Sequence, residues 1–104
     1  MLFVIKEVME EKGISLKILA KITRIKEKRL FEIINNALIP NDDEISAIAK
    51  ALDSKITELY YTVKDYNRVR EYMHDAIEEY GLNSIQTRKY SVILDKLMNI
   101  MYLN

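Results

Sequence analysis

Residues that interrupt regular structure are rare in this chain, which has two glycines and one proline among its 104 residues. Gly13 and Gly81 each follow a run whose apolar residues recur every three or four positions, the spacing of one helix face. We expect both glycines to cap helices in the left-handed conformation, and Pro40 to lie in a loop between helices. No segment alternates apolar and polar residues as a half-buried strand does. The sequence therefore predicts an all-α fold.

The helical patterns divide the chain into two parts. Ser15 is a predicted N-cap, and Asn41 with Glu44 three residues later forms a predicted capping box. A composition shift near residues 62–65 separates a domain at 1–62 from a hairpin at 63–104. The predicted helices are 2–12, 16–22, 26–35, 41–52 and 55–61 in the domain, and Tyr66–Tyr80 and 87–102 in an antiparallel two-helix hairpin.

Composition excludes several classes of function. The chain has no cysteine and a single histidine, His74, so disulfides and protein-only thiolate or histidine-rich metal sites are not expected. No apolar run approaches the roughly 20 residues of a membrane span, and the N-terminus does not resemble a signal peptide. We therefore expect a cytoplasmic protein that uses no metal or cofactor.

The net charge is zero, but the charges are unevenly distributed. Residues 17–29 carry six basic side chains against one acidic one, Glu27. A local basic surface can bind phosphates even when the whole protein is neutral. The basic residues are Lys17, Lys21, Arg24, Lys26, Lys28 and Arg29.

The second and third predicted helices are separated by a turn of three residues, the plan of a helix-turn-helix motif. Residues 1–62 resemble the phage-repressor (Cro-type) family of helix-turn-helix domains. The matching features are "GIS" before the second helix, Leu19-Ala20, Ile25 in the turn, the inward Leu30 and Ile33, Pro40, "IAKALD" and "ITELY". The resemblance implies a five-helix domain that binds double-stranded DNA and acts as a transcription regulator of the repressor family, as an activator or as a repressor.

The resemblance also implies which residues face the DNA. The third helix would enter the major groove, and its groove-facing positions would be Lys26, Glu27, Lys28, Phe31 and Glu32. Lysine can donate to guanine, an acid can accept from cytosine, and Phe31 could touch a thymine methyl. The chain departs from the family in carrying Arg24 where the turn usually has glycine, so we expect Arg24 to be left-handed.

A second interpretation of the same face remains open. Glu27 and Glu32 would repel phosphates, and an exposed Phe31 would suit a protein interface. Under this hypothesis the helix-turn-helix fold serves as a protein-binding module.

The hairpin supports two further hypotheses. A two-helix hairpin buries little apolar surface alone, so it is a candidate arm for a homodimer. Its second helix also resembles the sporulation stage-zero aspartyl-phosphate phosphatases at Ser91, Leu94, Asp95, Leu97, Asn99 and Tyr102, while Val92-Ile93 replaces that family's Gln-Glu pair.

That second resemblance implies a response-regulator protein as partner. Ser91, Asp95 and Asn99 would then be docking or catalytic residues, and the alternative function is a phosphatase for, or a binder of, a phosphorylated sporulation regulator. Asp95 has a simpler interpretation as a solvated surface charge. The principal prediction is a non-enzymatic DNA-binding regulator.

Overall fold

The computed structural model describes residues 1–103, and within that range the chain forms six α-helices, two 3₁₀ turns and one two-stranded sheet. The chain divides into two compact units, residues 3–60 and residues 1–2 together with those from Tyr61 onward. The prediction of an all-α fold is confirmed. The helices are α1 (Ile5–Lys12), α2 (Leu16–Thr23), α3 (Glu27–Ile34), α4 (Asp42–Ala51), α5 (Tyr66–Tyr80) and α6 (Ile85–Leu103); the strands are β1 (Leu2–Phe3) and β2 (Tyr60–Tyr61).

Local capping signals fix the helix ends in the first unit. Gly13 closes α1 in the left-handed conformation at φ 67°. Ser15 accepts a hydrogen bond from the amide of Ile18 at 3.2 Å and begins α2. Asn41 and Glu44 exchange side-chain and backbone hydrogen bonds of 2.8 and 2.9 Å at the start of α4. All three predicted caps are confirmed, and each satisfies backbone groups that a helix end leaves without partners.

The core of the first unit is aliphatic and fully buried. Every one of its helices contributes to it, since α1, α2, α3 and α4 each place at least one apolar side chain out of solvent. These residues recur at helical spacing, so burying one face of each helix removes the apolar stripe from water. The fully buried members include Ile5, Leu19, Leu30, Ile33, Ile48, Leu52 and Leu59.

The prediction of a helix over 2–12 is wrong at its beginning. Leu2–Phe3 is a strand, and it pairs with β2. Asn36 holds both polar backbone groups of Phe3, accepting from its amide at 3.2 Å and donating to its carbonyl at 3.1 Å. Val4 donates its amide to Leu59 O at 2.9 Å. These distant partners satisfy the extended backbone, so a helix has no advantage there.

The predicted fifth helix at 55–61 is shorter than expected and is not α-helical. The segment contains a single 3₁₀ turn, Ile56–Glu58, followed by β2. The side chain of Glu58 accepts from the amide of Lys55 at 3.0 Å, and Leu59 O accepts the bond from Val4. The first unit therefore has four α-helices and this turn within its residues 3–60.

The second unit contains a helical hairpin of α5 and α6. Val69 and Ala76 on α5, and Ile93 and Leu97 on α6, are buried. The linker is shorter than predicted because Ser84 caps α6, accepting from the amide of Thr87 at 3.1 Å, so the helix begins at Ile85 and not at residue 87.

Gly81 ends α5 in an unpredicted conformation. Its φ and ψ angles are 93° and 163°, so the chain leaves α5 extended and the predicted left-handed helical cap is wrong. The hydroxyl of Thr87 donates to Gly81 O at 2.8 Å, which holds this exit. Across residues 1–103, no helix combines the length and the apolar character needed to cross a bilayer.

Candidate nucleic-acid interface

The turn between α2 and α3 is fixed by local hydrogen bonds. Arg24 lies in the left-handed region at φ 61° and ψ 19°, as predicted, and donates its amide to Ala20 O at 2.9 Å. The Thr23 hydroxyl donates to Leu19 O at 2.7 Å and accepts from the amide of Ile25 at 3.3 Å. Leu19 is fully buried and anchors α2 in the core, and the turn that follows α2 fixes the direction in which α3 begins.

The α3 helix has a buried face and an exposed face. Leu30, Ile33 and Ile34 point into the core. The outer face of α3, as we call it, consists of Glu27, Lys28, Phe31 and Asn35, all exposed. Residues 27, 31 and 35 are four apart and lie along one stripe, with residue 28 beside it.

Two other predicted contact residues, Lys26 and Glu32, lie around this face, and Phe31 is at its centre. Lys26 precedes the first turn of α3 as its N-cap residue and is exposed. Glu32 is half-buried, so less of it is available than of its neighbours. Phe31 is 55% exposed, which is unusual for an aromatic side chain on a folded surface.

Five basic side chains form a set that we call the cationic stripe. All five are exposed, and none has a side-chain hydrogen bond or ion pair with another residue in the described range 1–103. Because no internal acid neutralises them, their charge is available to an external anion. The members are Lys17 and Lys21 on α2, Arg24 in the turn, and Lys26 and Lys28 at the start of α3.

Arg29, the sixth predicted basic contact, is engaged within the protein. Its Nη2 donates to Glu44 Oε1 at 2.8 Å, and its Nε donates to Glu44 Oε2. This two-pronged ion pair joins α3 to the first turn of α4. The hydrogen bond from Arg29 lowers the pKa of Glu44 to about 2, against an opposing effect of burial and with help from the Asn41 amide. The same hydrogen bond raises the pKa of Arg29.

Two exposed aliphatic residues on α2 were not anticipated from the sequence. Ile18 and Ile22 are 50% and 56% exposed, and they lie one turn apart. Both residues fit the helical spacing of apolar residues in α2, and that spacing alone predicts that they are buried.

The candidate residues of the hairpin are exposed on α6. Ser91, Asp95 and Asn99 lie four residues apart on one stripe of the helix, as predicted. Ile93 is completely buried and Val92 is half-buried. The two positions that would carry the Gln-Glu pair of the sporulation phosphatases are thus apolar, and one of them belongs to the core.

A cleft of about 270 Å³ lies in the hairpin near the beginning of α6. Met73 and Ile77 form part of an apolar wall, and Arg88 and Ser91 supply polar groups. Asp95 and Asn99 are not among its lining residues, so the structure does not gather the three candidate residues into one pocket.

Residues 4–65 match the family of Cro/C1-type HTH DNA-binding domains. The chain belongs to this family. The match covers more than half of the 104 residues and includes both helices of the motif and the whole cationic stripe. Comparison with curated proteins and with solved structures gave no match.

Membership in the family establishes the coarse function, which is that of a DNA-binding transcription regulator. The predicted resemblance of residues 1–62 to this family is thereby confirmed. The match ends at residue 65, before α5, and it gives no support to the resemblance of the hairpin to sporulation phosphatases.

Proposed function

We propose that this protein binds specific sites in double-stranded DNA as a transcription regulator, with α3 in the major groove and the cationic stripe on the phosphates. The observation that carries the proposal is the set of five unpaired basic side chains that flank an exposed helix on a helix-turn-helix scaffold. The major groove admits an α-helix, and basic side chains that replace condensed counterions supply the affinity. Such a protein would act in the cytoplasm, where duplex DNA is available to it.

In this proposal, affinity and specificity come from different residues. The exposed part of α3 and its N-cap carries Lys26 and Lys28 against Glu27, with Glu32 half-buried beside them. Two positive and two negative charges give this helix little net attraction for phosphate. The phosphate contacts therefore fall chiefly to Lys17, Lys21 and Arg24, whereas α3 distinguishes base pairs.

Binding of labelled duplexes at several salt concentrations tests the proposal. A random duplex pool should yield an enriched sequence whose complex weakens steeply as salt rises, because each phosphate contact releases counterions. If the folded protein binds no duplex even at about 50 mM salt, where such contacts are strong, the proposed function is wrong.

We further propose that the hairpin makes the protein a homodimer. Met98, Met101 and Tyr102 are exposed near the end of α6, at spacings of three and four residues that place them on one side of the helix. Tyr102 is 82% exposed. Helix-turn-helix proteins that act as dimers bind two half-sites about 34–36 Å apart, so a second copy is the partner that DNA recognition itself calls for. Sedimentation equilibrium on the full chain tests this, and a monomer at about 100 µM, a concentration far above ordinary dimer dissociation constants, would contradict it.

The alternative partner is a phosphorylated sporulation response regulator. Ser91, Asp95 and Asn99 form an exposed polar stripe on α6, which suits a docking surface or the orientation of a water molecule. The test is the decay of an acyl-phosphate on such a regulator with the native protein and with Asp95→Ala. An unchanged decay rate excludes phosphatase activity.

A further inference from the structure

The centre of the outer face of α3 is a phenylalanine. Phe31 lies one helical turn after Glu27 and one turn before Asn35, and its ring is more than half exposed. A polar side chain at this position would cost nothing in water, whereas an exposed aromatic ring leaves apolar area unburied. Contact of this ring with an apolar group on the surface that α3 binds would therefore be favourable.

The side chains of α3 that most often hydrogen-bond to base edges, an arginine and an asparagine, already make hydrogen bonds within the protein. Arg29 directs the Nε–Nη2 edge of its guanidinium at Glu44, so only the opposite edge of the group is left for a base while that pair is intact. The Nδ2 of Asn35 donates to Phe31 O at 2.8 Å, so part of the amide that adenine recognition needs is in use. Glu27 and Lys28 remain as the fully available polar groups on the outer face of α3, within the described residues.

Duplex DNA has one apolar group that a protein can contact on base edges in the major groove, the C5-methyl of thymine. We infer that Phe31 recognises a C5-methylated pyrimidine, and that it is the principal apolar specificity residue of this protein. The inference rests on the proposed DNA binding and adds the chemical group that is recognised. The ligand class includes thymine and 5-methylcytosine, and it excludes uracil and unmethylated cytosine.

The position of Glu27 adds a second element to the expected site. Four residues of α-helix span about 6 Å along the axis, roughly two base-pair steps of duplex. A carboxylate accepts a hydrogen bond from cytosine N4, so each half-site should contain a C·G pair about two steps from the methylated pyrimidine.

The experiment uses the full chain and a duplex enriched from a random pool. Each thymine of that duplex is replaced singly by uracil, which removes one methyl group and leaves base pairing unchanged. At one thymine in each half-site, the replacement should weaken binding about three- to fivefold, the factor that burying a single methyl group provides. Replacing that thymine by cytosine should weaken binding, and 5-methylcytosine should restore part of the loss.

Variants assign the effect to Phe31. Phe31→Ala should bind the thymine and uracil duplexes equally well, while Ile39→Ala, at a more exposed aliphatic position, should keep the native preference. Both substitutions are at exposed sites, so melting temperatures near that of the native protein will verify folding.

The outcomes separate the inference from the proposed function. Specific, salt-dependent binding with no thymine sensitive to uracil overturns the inference and leaves DNA recognition intact. A uracil effect that persists in Phe31→Ala also overturns it, because another residue would then contact the methyl group. Absence of binding to any duplex overturns both.

Discussion

Glu44 holds the guanidinium of Arg29 in a two-pronged ion pair, and the same carboxylate closes the capping box of α4 by accepting the amide of Asn41 at 2.9 Å. One side chain thereby fixes the beginning of α4 and ties α3 to it. The pair also divides the basic residues of 17–29 into one that serves the fold and five that remain available for DNA.

The first prediction concerns stability in acid. The pKa of Glu44 is about 2 in the folded protein, below the usual carboxylate value of 4.5. Its contribution to stability is therefore complete above about pH 5 and is lost as the pH falls toward 2. Glu44→Gln should lower the melting temperature at pH 7 and flatten its decline between pH 5 and 2.5, as measured by circular dichroism. Glu10→Gln, at an exposed carboxylate, is the control and should keep the native slope.

The second prediction concerns the cap itself. Asn41→Ala removes the acceptor for the amide of Glu44 and should destabilise the protein by about 1 kcal/mol, the usual value for an N-cap. Chemical denaturation measures the change. Asn67→Ala, at an exposed position within α5, should have a much smaller effect, and equal effects of the two substitutions would contradict the assignment of the cap.

The third prediction separates phosphate contacts from general charge. The double substitution Lys17→Ala/Lys21→Ala should reduce the slope of log binding constant against log salt by about two, because each phosphate contact contributes about one. Lys6→Ala/Lys50→Ala removes the same charge from exposed positions on α1 and α4 and should leave the slope nearly unchanged. Equal reductions in the two variants would mean that net charge, and not the stripe, drives binding.

The fourth prediction concerns the left-handed Arg24. A non-glycine residue in this conformation costs roughly 1 kcal/mol of stability. Glycine removes that cost, but its greater freedom in the unfolded chain offsets part of the gain. Arg24→Gly should therefore raise the free energy of unfolding by about 0.5 kcal/mol and weaken DNA binding, since a stripe cation is lost. Arg24→Ala should weaken DNA binding to the same degree without the gain in stability. A stabilised Ala variant would show that the gain comes from losing the arginine side chain and not from relief of backbone strain.

The fifth prediction concerns the proposed dimer. Met98→Asp or Met101→Asp should shift the sedimentation mass toward the monomer, because each places a charge in an apolar contact. Asn99→Asp adds the same charge on the polar stripe of α6 and should leave the mass unchanged. If all three variants keep the native mass, the contact lies elsewhere or the native protein is monomeric.

The elements that sequence predicted well are those decided by neighbouring residues. Ser15 accepts the amide of a residue three positions later, Asn41 and Glu44 form a reciprocal capping box, and Gly13 closes the helix that precedes it. The left-handed Arg24 was expected from the family resemblance, because the turn of that family usually has glycine at this position. In each case the decisive hydrogen bonds span four residues or fewer, so the pattern contains the information.

The elements that sequence missed depend on distant partners. Leu2–Phe3 has an apolar helical pattern but becomes a strand because Asn36 and β2 bind its backbone. Arg29 looks like one more basic residue of 17–29 until Glu44, fifteen positions away, is found beside it. Phe31 is exposed, in agreement with the prediction that it lies on the outward side of α3.

The central claim is that α3 and the cationic stripe bind a specific duplex sequence. Its most direct test is fluorescence anisotropy on an enriched duplex and on a scrambled one at about 150 mM salt, with native protein and Lys28→Ala. The account predicts at least about 1000-fold tighter binding to the enriched duplex than to the scrambled one, and weaker binding in the variant. Equal affinity of the native protein for the two duplexes would contradict it.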